Sequence, residues 1–177
     1  MMNLPSSVGG INNLPRDEKI AYYTNFIPDQ LTGKYKIPED FIDAEGNSLL
    51  EMKCPAGSSN CEISIYHQYG FIDPVLYGHI TDTISNQIHI LLYVLNDPYS
   101  PRFNTDRLPD GTKTKFGMNS RNIPAEIAAM QAGLTPGQVR QGPHILNAAF
   151  QSFEDFVRSM GNEIYFVEPL YYHTAVI

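Results

Sequence analysis

The chain has 177 residues and an apolar content of 42%, which suffices for one domain with a sizeable core. Its net charge of −7 argues against binding to nucleic acid or to an anionic membrane, since both require a positive surface. No apolar run is long enough to span a membrane, and residues 1–10 lack the features of a secretory signal. We therefore expect a cytoplasmic protein.

Two cysteines, Cys54 and Cys61, flank the turn-forming sequence PAGSSN and could approach each other across a hairpin. In a reducing compartment we expect both to remain free thiols. They do not indicate a zinc site, because no histidine stands near them at the spacing of metal ligands.

The N-terminal region is predicted from its composition. Residues 1–14 are rich in Gly, Ser, Asn and Pro, which predicts a loose segment before a single domain over residues 15–177. Residues 15–26 are typical of a helix, with Asp17 and Glu18 in the first turn, where the helix dipole favours acidic side chains.

From residue 41 onward the pattern changes to the period of two that indicates β-strands. Strands are predicted around Leu50 and over residues 62–69, 75–81 and 87–95. Because they are short, adjacent and joined by brief turns, we expect an antiparallel meander. The strand over 87–95 is apolar on both faces, with Ile90 on one and Tyr93 on the other, which favours a central position in the sheet.

Residues 97–142 interrupt the alternation and are predicted to be an insertion within the domain. Prolines and glycines exclude long regular structure from its first half, and so long a loop in a compact domain is often functional. Asn122 is predicted to cap a short helix that ends at Gly133. Thr135 followed by Pro136 predicts a second short helix.

Residues 142–170 are predicted to form a helix that leads directly into a buried strand. Gly142 and Pro143 provide a favourable start, and Gly161 can adopt the positive φ that ends a helix. The predicted apolar stripe consists of Leu146, Phe150, Phe153, Val157 and Met160.

A helix followed at once by a buried strand is half of a β-α-β crossover. The strand around residues 164–167 should therefore lie parallel to, and beside, the strand over 87–95. The predicted fold class is α+β, with a mixed and mostly antiparallel central sheet flanked by helices. The inserted loop and helix region precedes the crossover helix.

A meander that continues through a crossover helix to a last buried strand resembles the GNAT superfamily of N-acetyltransferases. In that family a loop of the pattern Arg/Gln-x-x-Gly-x-Gly/Ala precedes the helix, and its backbone N–H groups hold the pyrophosphate of acetyl-CoA. The similar stretches here are residues 134–139 and 139–144. The family's Asn-x-x-Ala after its last strand corresponds to residues 172–175, with tyrosine in place of asparagine. The cofactor-binding candidates that this resemblance implies are Gly137, Arg140, Gly142, His144 and Tyr172.

The resemblance implies a CoA-dependent N-acyltransferase with acetyl-CoA or another acyl-CoA as co-substrate and a small-molecule amine as substrate. Asp97 and Glu168 follow the two central strands at the same edge of the sheet, so either carboxylate could deprotonate the attacking amine. His173 is a further catalytic candidate, because imidazole exchanges protons near neutral pH. Simpler interpretations compete: Asp97 lies in a good turn sequence, and Arg140 could be a solvated side chain at a helix break.

Two other functions remain open. A non-enzymatic module could bind an apolar small molecule or a partner protein through the tyrosine-rich sheet, and the chain could separately form a homodimer. A metal-dependent enzyme could use His67, His79 and His89, which lie on three successive predicted strands. Their spacing matches no metal motif, so we expect no metal site.

Overall fold

The structure is a computed structural model, and it describes residues 5–114 and 120–167. The chain divides into two compact units. We call Met1–Val94 with His144–Ile177 the sheet unit, and Leu95–Pro143 the loop unit. The predicted insertion, residues 97–142, lies within the loop unit.

Over the described residues the chain forms five helices and five strands. The helices are α1 (Val8–Asn12), α2 (Arg16–Thr24), α3 (Asp29–Tyr35), α4 (Ile123–Gln131) and α5 (Leu146–Ser159). The strands are β1 (Leu50–Lys53), β2 (Asn60–Ile65), β3 (Leu76–Asp82), β4 (Ile88–Leu95) and β5 (Tyr165–Val167). None of these helices combines the length and the apolar character that a membrane span requires.

The strands build one mixed sheet in the order β1-β2-β3-β4-β5. β2 pairs antiparallel with both β1 and β3. β5 lies beside β4 and parallel to it, with Ile88 opposite Tyr165 and Ile90 opposite Val167. These pairings confirm the predicted α+β class and the predicted parallel pair of central strand and last strand.

One face of the sheet is buried beneath aromatic side chains of α2, α5 and the turn after α2. The period of two places Ile63, Gly78 and Ile88 on this face, among others. Phe26 lies over Gly78, where an added Cβ would come within 3.3 Å of its ring. The Phe26 ring centroid lies 6.0 Å from that of Phe153 and 5.5 Å from that of Phe156. This aromatic cluster joins the helices to the sheet.

α5 begins later than the sequence predicts, and its buried stripe is different. Pro143 and His144 precede the helix, and His144 has a φ of +60°, so the chain bends before helical geometry starts. Phe153, Val157 and Met160 are buried as predicted. Leu146, however, is 46% exposed, and the buried stripe of α5 begins only at Ala149. The buried helical residues are Ala149, Phe153, Phe156 and Val157.

The predicted loose N-terminal segment is wrong for residues 8–12, which form α1. Val8 and Ile11 of this helix are completely buried. The carboxylate of Asp82 accepts hydrogen bonds from the N–H groups of Val8 and Gly9, at 2.7 Å each. Composition alone missed this helix, because the acceptor that orders it lies more than seventy residues away in the chain.

The loop unit contains one of the two predicted helices. Asn122 caps α4 as predicted, its side chain accepting a hydrogen bond from the N–H of Ala125 at 3.3 Å. The second helix, predicted from Thr135 and Pro136, is wrong. Thr135 instead begins a turn in which its carbonyl accepts from the N–H of Gln138 at 3.1 Å. Gly137 has a φ of +83°, which is incompatible with a right-handed helix.

Candidate functional site

An apolar cleft lies in the sheet unit between β4 and the first turns of α5. It encloses about 10 Å³, which is close to the room of one water molecule. Its walls are formed by Ile90, Tyr93, Leu146, Ala149, Phe150 and Phe153. The cleft therefore lies beside β4, the strand that pairs in parallel with β5.

The first turns of α5 form one wall of this cleft. Phe153 both lines it and packs in the aromatic cluster, and Leu146 and Phe150 line it too. Ala149, between them, is buried but too small to fill the space against Ile90. The first turns of α5 are thus partly exposed to solvent, whereas Phe153, at the inner end of the cleft, is only 1% exposed.

Tyr93 also lines the cleft, whose accessible lining is entirely apolar. Its hydroxyl is buried away from the cleft surface and has no hydrogen-bond partner among the described residues. Burial raises the pKa of Tyr93 well above the usual value for a phenol, so the hydroxyl keeps its proton.

Two predicted site residues, Asp97 and Arg140, lie together in the loop unit and hold one turn. The Arg140 side chain is buried, and its Nη1 donates to the carbonyl of Pro98 at 3.2 Å and to that of Ser100. Asp97 accepts a hydrogen bond at Oδ1 from the N–H of Tyr99, 3.0 Å away. Arg140 is thus buried instead of solvated, and Asp97 occupies the turn that its sequence suggests.

The remaining described candidates border the connection into α5. Gly137 carries the positive φ noted above, and its carbonyl accepts a hydrogen bond from the hydroxyl of Thr105 at 3.5 Å. Gly142 lies against the carbonyl of Leu95, which would be 3.4 Å from an added Cβ. His144 is exposed and belongs to the sheet unit. Glu168, Tyr172 and His173 lie outside the described residues.

Sequence reasoning missed the cleft. The period of two assigns Ile90 and Tyr93 to opposite faces of β4, yet both residues line the cleft. The predicted helix start placed Leu146 and Phe150 in the core stripe, where they would have no role in a cleft. The signal that could have found the site is a small residue, Ala149, between two large apolar ones on the helix that crosses the sheet.

His67 and His79 make separate local contacts. His67 follows β2 and stacks edge-on against Phe71, with ring centroids 4.4 Å apart. His79 on β3 places Nε2 within 3.2 Å of the Asn60 Oδ1 atom. Across the part of the chain that the structure describes, no three His, Cys, Asp or Glu side chains are grouped to hold a metal ion.

Comparison with known proteins identifies no relative for this chain. A scan against models of protein families, a search of curated proteins and a search of solved structures each found no match.

Proposed function

We propose that this chain binds a small molecule of the acyl-CoA class, with the acyl arm in the cleft between β4 and α5. The observation that carries the proposal is the cleft itself, whose lining is entirely apolar. Small-molecule sites are lined predominantly by apolar side chains. Here the apolar walls would bind the alkyl part of the acyl arm.

An acyl arm needs more room than the cleft encloses, so the first turns of α5 have to adjust. Leu146 is 46% exposed and Phe150 is half-buried, so both can change rotamer without disturbing the aromatic cluster. Phe153 is held in that cluster and forms the fixed inner wall. Outward rotation of Leu146 and Phe150 lengthens the cleft along β4.

The topology supports the acyl-CoA class. A parallel pair of central strand and last strand, with α5 between them in the chain, is what the resemblance to GNAT N-acetyltransferases leads one to expect. In that family the two central strands splay apart, and the pantetheine arm of the cofactor lies between them. The cleft borders β4 at Ile90, the last residue in the described pairing with β5.

The enzymatic form of this function is a CoA-dependent N-acyltransferase. A substrate amine would attack the thioester carbonyl, forming the amide bond and breaking the C–S bond, so that CoA leaves as a thiol. Asp97 or Glu168 would accept the amine proton, directly or through water. Backbone N–H groups of β4 would polarise the carbonyl as charge develops on its oxygen.

A second candidate is a non-enzymatic module that binds an apolar small molecule at the same cleft. The observation that favours it is the state of Arg140, whose guanidinium already donates to the backbone of the loop unit. An arginine used in this way is not presented to a pyrophosphate. A ligand without a nucleotide, such as a free carboxylic acid with an alkyl chain, would then suffice.

Calorimetric titration of the full chain with CoA, acetyl-CoA, octanoyl-CoA and octanoate distinguishes the two candidates. For the acyl-CoA class we expect octanoyl-CoA to bind more tightly than acetyl-CoA, by about fourfold for each methylene that the cleft buries. Equal binding of octanoate and octanoyl-CoA would support the non-enzymatic module. Binding of none of the four ligands would refute the proposal.

A matched pair of variants locates the site. Ala149→Leu fills the cleft and should weaken octanoyl-CoA binding at least tenfold. Ala148→Leu changes the neighbouring residue on the same helix, which does not line the cleft, and should leave the affinity unchanged. Equal affinities of the two variants would place the ligand elsewhere. Release of CoA in the presence of amines, followed by chromatography, tests the enzymatic form.

A further inference from the structure

Cys54 and Cys61 stand opposite each other at the turn end of the β1–β2 hairpin. The last pair in the register is Lys53 with Glu62, so the next two residues along the strands are the cysteines. The ladder ends there because Pro55 follows and has no N–H to donate. The residues between the two cysteines therefore form the connection from β1 to β2.

The pairing type of these cysteines suits a disulfide bond. The N–H of Tyr66 donates to the carbonyl of Leu49 at 2.9 Å, which makes their positions a hydrogen-bonded pair. Because the two pair types alternate along an antiparallel ladder, Cys54 and Cys61 form a non-hydrogen-bonded pair. Such pairs have Cα atoms about 4.5 Å apart, inside the range of about 4.4–6.8 Å that disulfides adopt.

The two thiols also share one side of the hairpin. Cys61 continues the buried row of Ile63 and Ile65, and Cys54 continues the row of Leu50 and Met52 on the same face. Cys54 and the hydroxyl of Tyr23 both lie close enough to the Cys61 thiol to influence its pKa. Both cysteines are free thiols in this structure.

Access to solvent differs between them. Cys54 is partly exposed, whereas Cys61 is completely buried. We propose that Cys54 and Cys61 form a reversible redox pair, which a hydroperoxide oxidises to an intramolecular disulfide. Cys54 reacts with the oxidant, and Cys61 then resolves the product.

The chemistry balances in two steps. The Cys54 sulfur attacks a peroxide oxygen, so that an S–O bond forms, the O–O bond breaks and one water leaves with the Cys54 proton. The Cys61 sulfur then attacks the sulfenic sulfur, so that the S–S bond forms, the S–O bond breaks and a second water leaves with the Cys61 proton. Overall, two thiols are oxidised and one hydrogen peroxide is reduced to two waters.

The order of reaction has a physical reason. Burial raises the pKa of the Cys61 thiol to about 12, with the neighbouring Cys54 adding to the effect. Cys61 therefore stays protonated at neutral pH and is a poor nucleophile toward peroxide. It attacks only when a reactive sulfenic acid is held beside it.

Peptide mapping of the full chain after hydrogen peroxide treatment and alkylation tests the proposal. We expect both thiols to be lost together, one cross-linked peptide containing both cysteines from a monomer, and recovery of both thiols with dithiothreitol. The pair would be refuted if Cys54 were oxidised to the sulfinic acid while Cys61 stayed alkylatable after unfolding. A disulfide between two chains would refute it as well.

Cys54→Ser is the matched variant, because it changes only the partly exposed member. At a peroxide dose that closes the disulfide in the unsubstituted chain, Cys61 of this variant should remain a thiol. Oxidation of Cys61 at the same rate in both proteins would contradict the assigned order.

Discussion

At the scale of single residues, Asn12 shows how one buried amide organises the N-terminal region. Its side chain is completely buried, and Nδ2 donates to the carbonyls of Ser58 at 2.7 Å and Asn60 at 2.9 Å. Its Oδ1 accepts from the hydroxyl of Tyr23 at 2.6 Å. One amide thus joins α1, α2 and the turn between the two cysteines.

Replacement of Asn12 by alanine should be strongly destabilising. Asn12→Ala leaves two carbonyls and one hydroxyl without this partner, and the expected loss is about 2–4 kcal/mol of unfolding free energy. Asn13→Ala is the control, because Asn13 is exposed and accepts one hydrogen bond, from the N–H of Gly57 at 2.9 Å. Urea unfolding of both variants checks this, and equal losses would show that burial of the amide is unimportant.

The raised pKa of Cys61 predicts how the unfolding free energy changes in alkaline solution. Its pKa rises from 9.0 to about 12 on folding, so the unfolded chain loses this proton at a lower pH than the folded chain. The thiol's contribution is therefore intact below pH 9 and is lost as the pH rises from about 9 to 12.

The expected loss in unfolding free energy by pH 10 is about 1.4 kcal/mol. Cys61→Val should remove this part of the decline, whereas the alkaline decline from buried tyrosines remains. Urea unfolding under reducing conditions at pH 8 and pH 10 measures the difference. Parallel declines in the two proteins would contradict the assignment to Cys61.

The predictability of single residues depends on how far away their partners lie in the chain. The Asn122 cap was predictable because its partner, the N–H of Ala125, is three residues away. Arg140 binds the Pro98 carbonyl across 42 residues of chain, and a local pattern therefore favoured a solvated side chain. The turn at Asp97 is local, and its sequence suggested it.

At the scale of elements, the contact between β3 and the Phe26 ring explains a glycine in the middle of a strand. Gly78 leaves the space that the ring occupies, since an added Cβ would lie 3.3 Å from two ring atoms. Phe26 is completely buried and also contacts Phe153 and Phe156. It has no room to move away, so the strand accepts a residue that is otherwise unfavourable in strands.

Two glycine-to-alanine substitutions should therefore have opposite effects. Gly78→Ala should destabilise the fold by about 1–3 kcal/mol, because the methyl group displaces a packed ring. Gly33→Ala, in α3, has nothing within 4 Å of the new Cβ, and it should stabilise by about 0.5–1 kcal/mol through helix propensity. Denaturant unfolding of both variants compares them, and the same sign for both would contradict this packing.

Elements with a clear period were predictable, and their ends were not. Alternation located β2, β3 and β4, and the preference for right-handed crossovers placed β5 beside β4. The start of α5 was wrong because Gly142 and Pro143 match a helix start in sequence while the backbone of His144 is left-handed. The predicted stripe placed Leu146 and Phe150 in the core, so the cleft that they line was missed.

At the scale of the whole molecule, the two ends of the loop unit lie close together. The N–H of Asp97 donates to the carbonyl of Gln141 at 2.8 Å. Gly142 also lies against the carbonyl of Leu95. Both ends of the loop unit are therefore side by side.

This closure predicts that the sheet unit folds without the loop unit. Replacement of residues 97–141 by a short glycine-serine linker should preserve the strand signal in circular dichroism and a cooperative unfolding transition, because the linker spans a short gap. An unfolded product would contradict the division into two units. The full chain, measured in parallel, is the control.

The central claim is that the cleft between β4 and α5 receives an acyl arm. Titration of methyl-labelled full chain with octanoyl-CoA, followed by NMR, tests it most directly. We expect the methyl signals of Ile90, Leu146 and Ala149 to shift with octanoyl-CoA and to stay in place with CoA alone. Unchanged signals from these three residues at saturating octanoyl-CoA would contradict the claim.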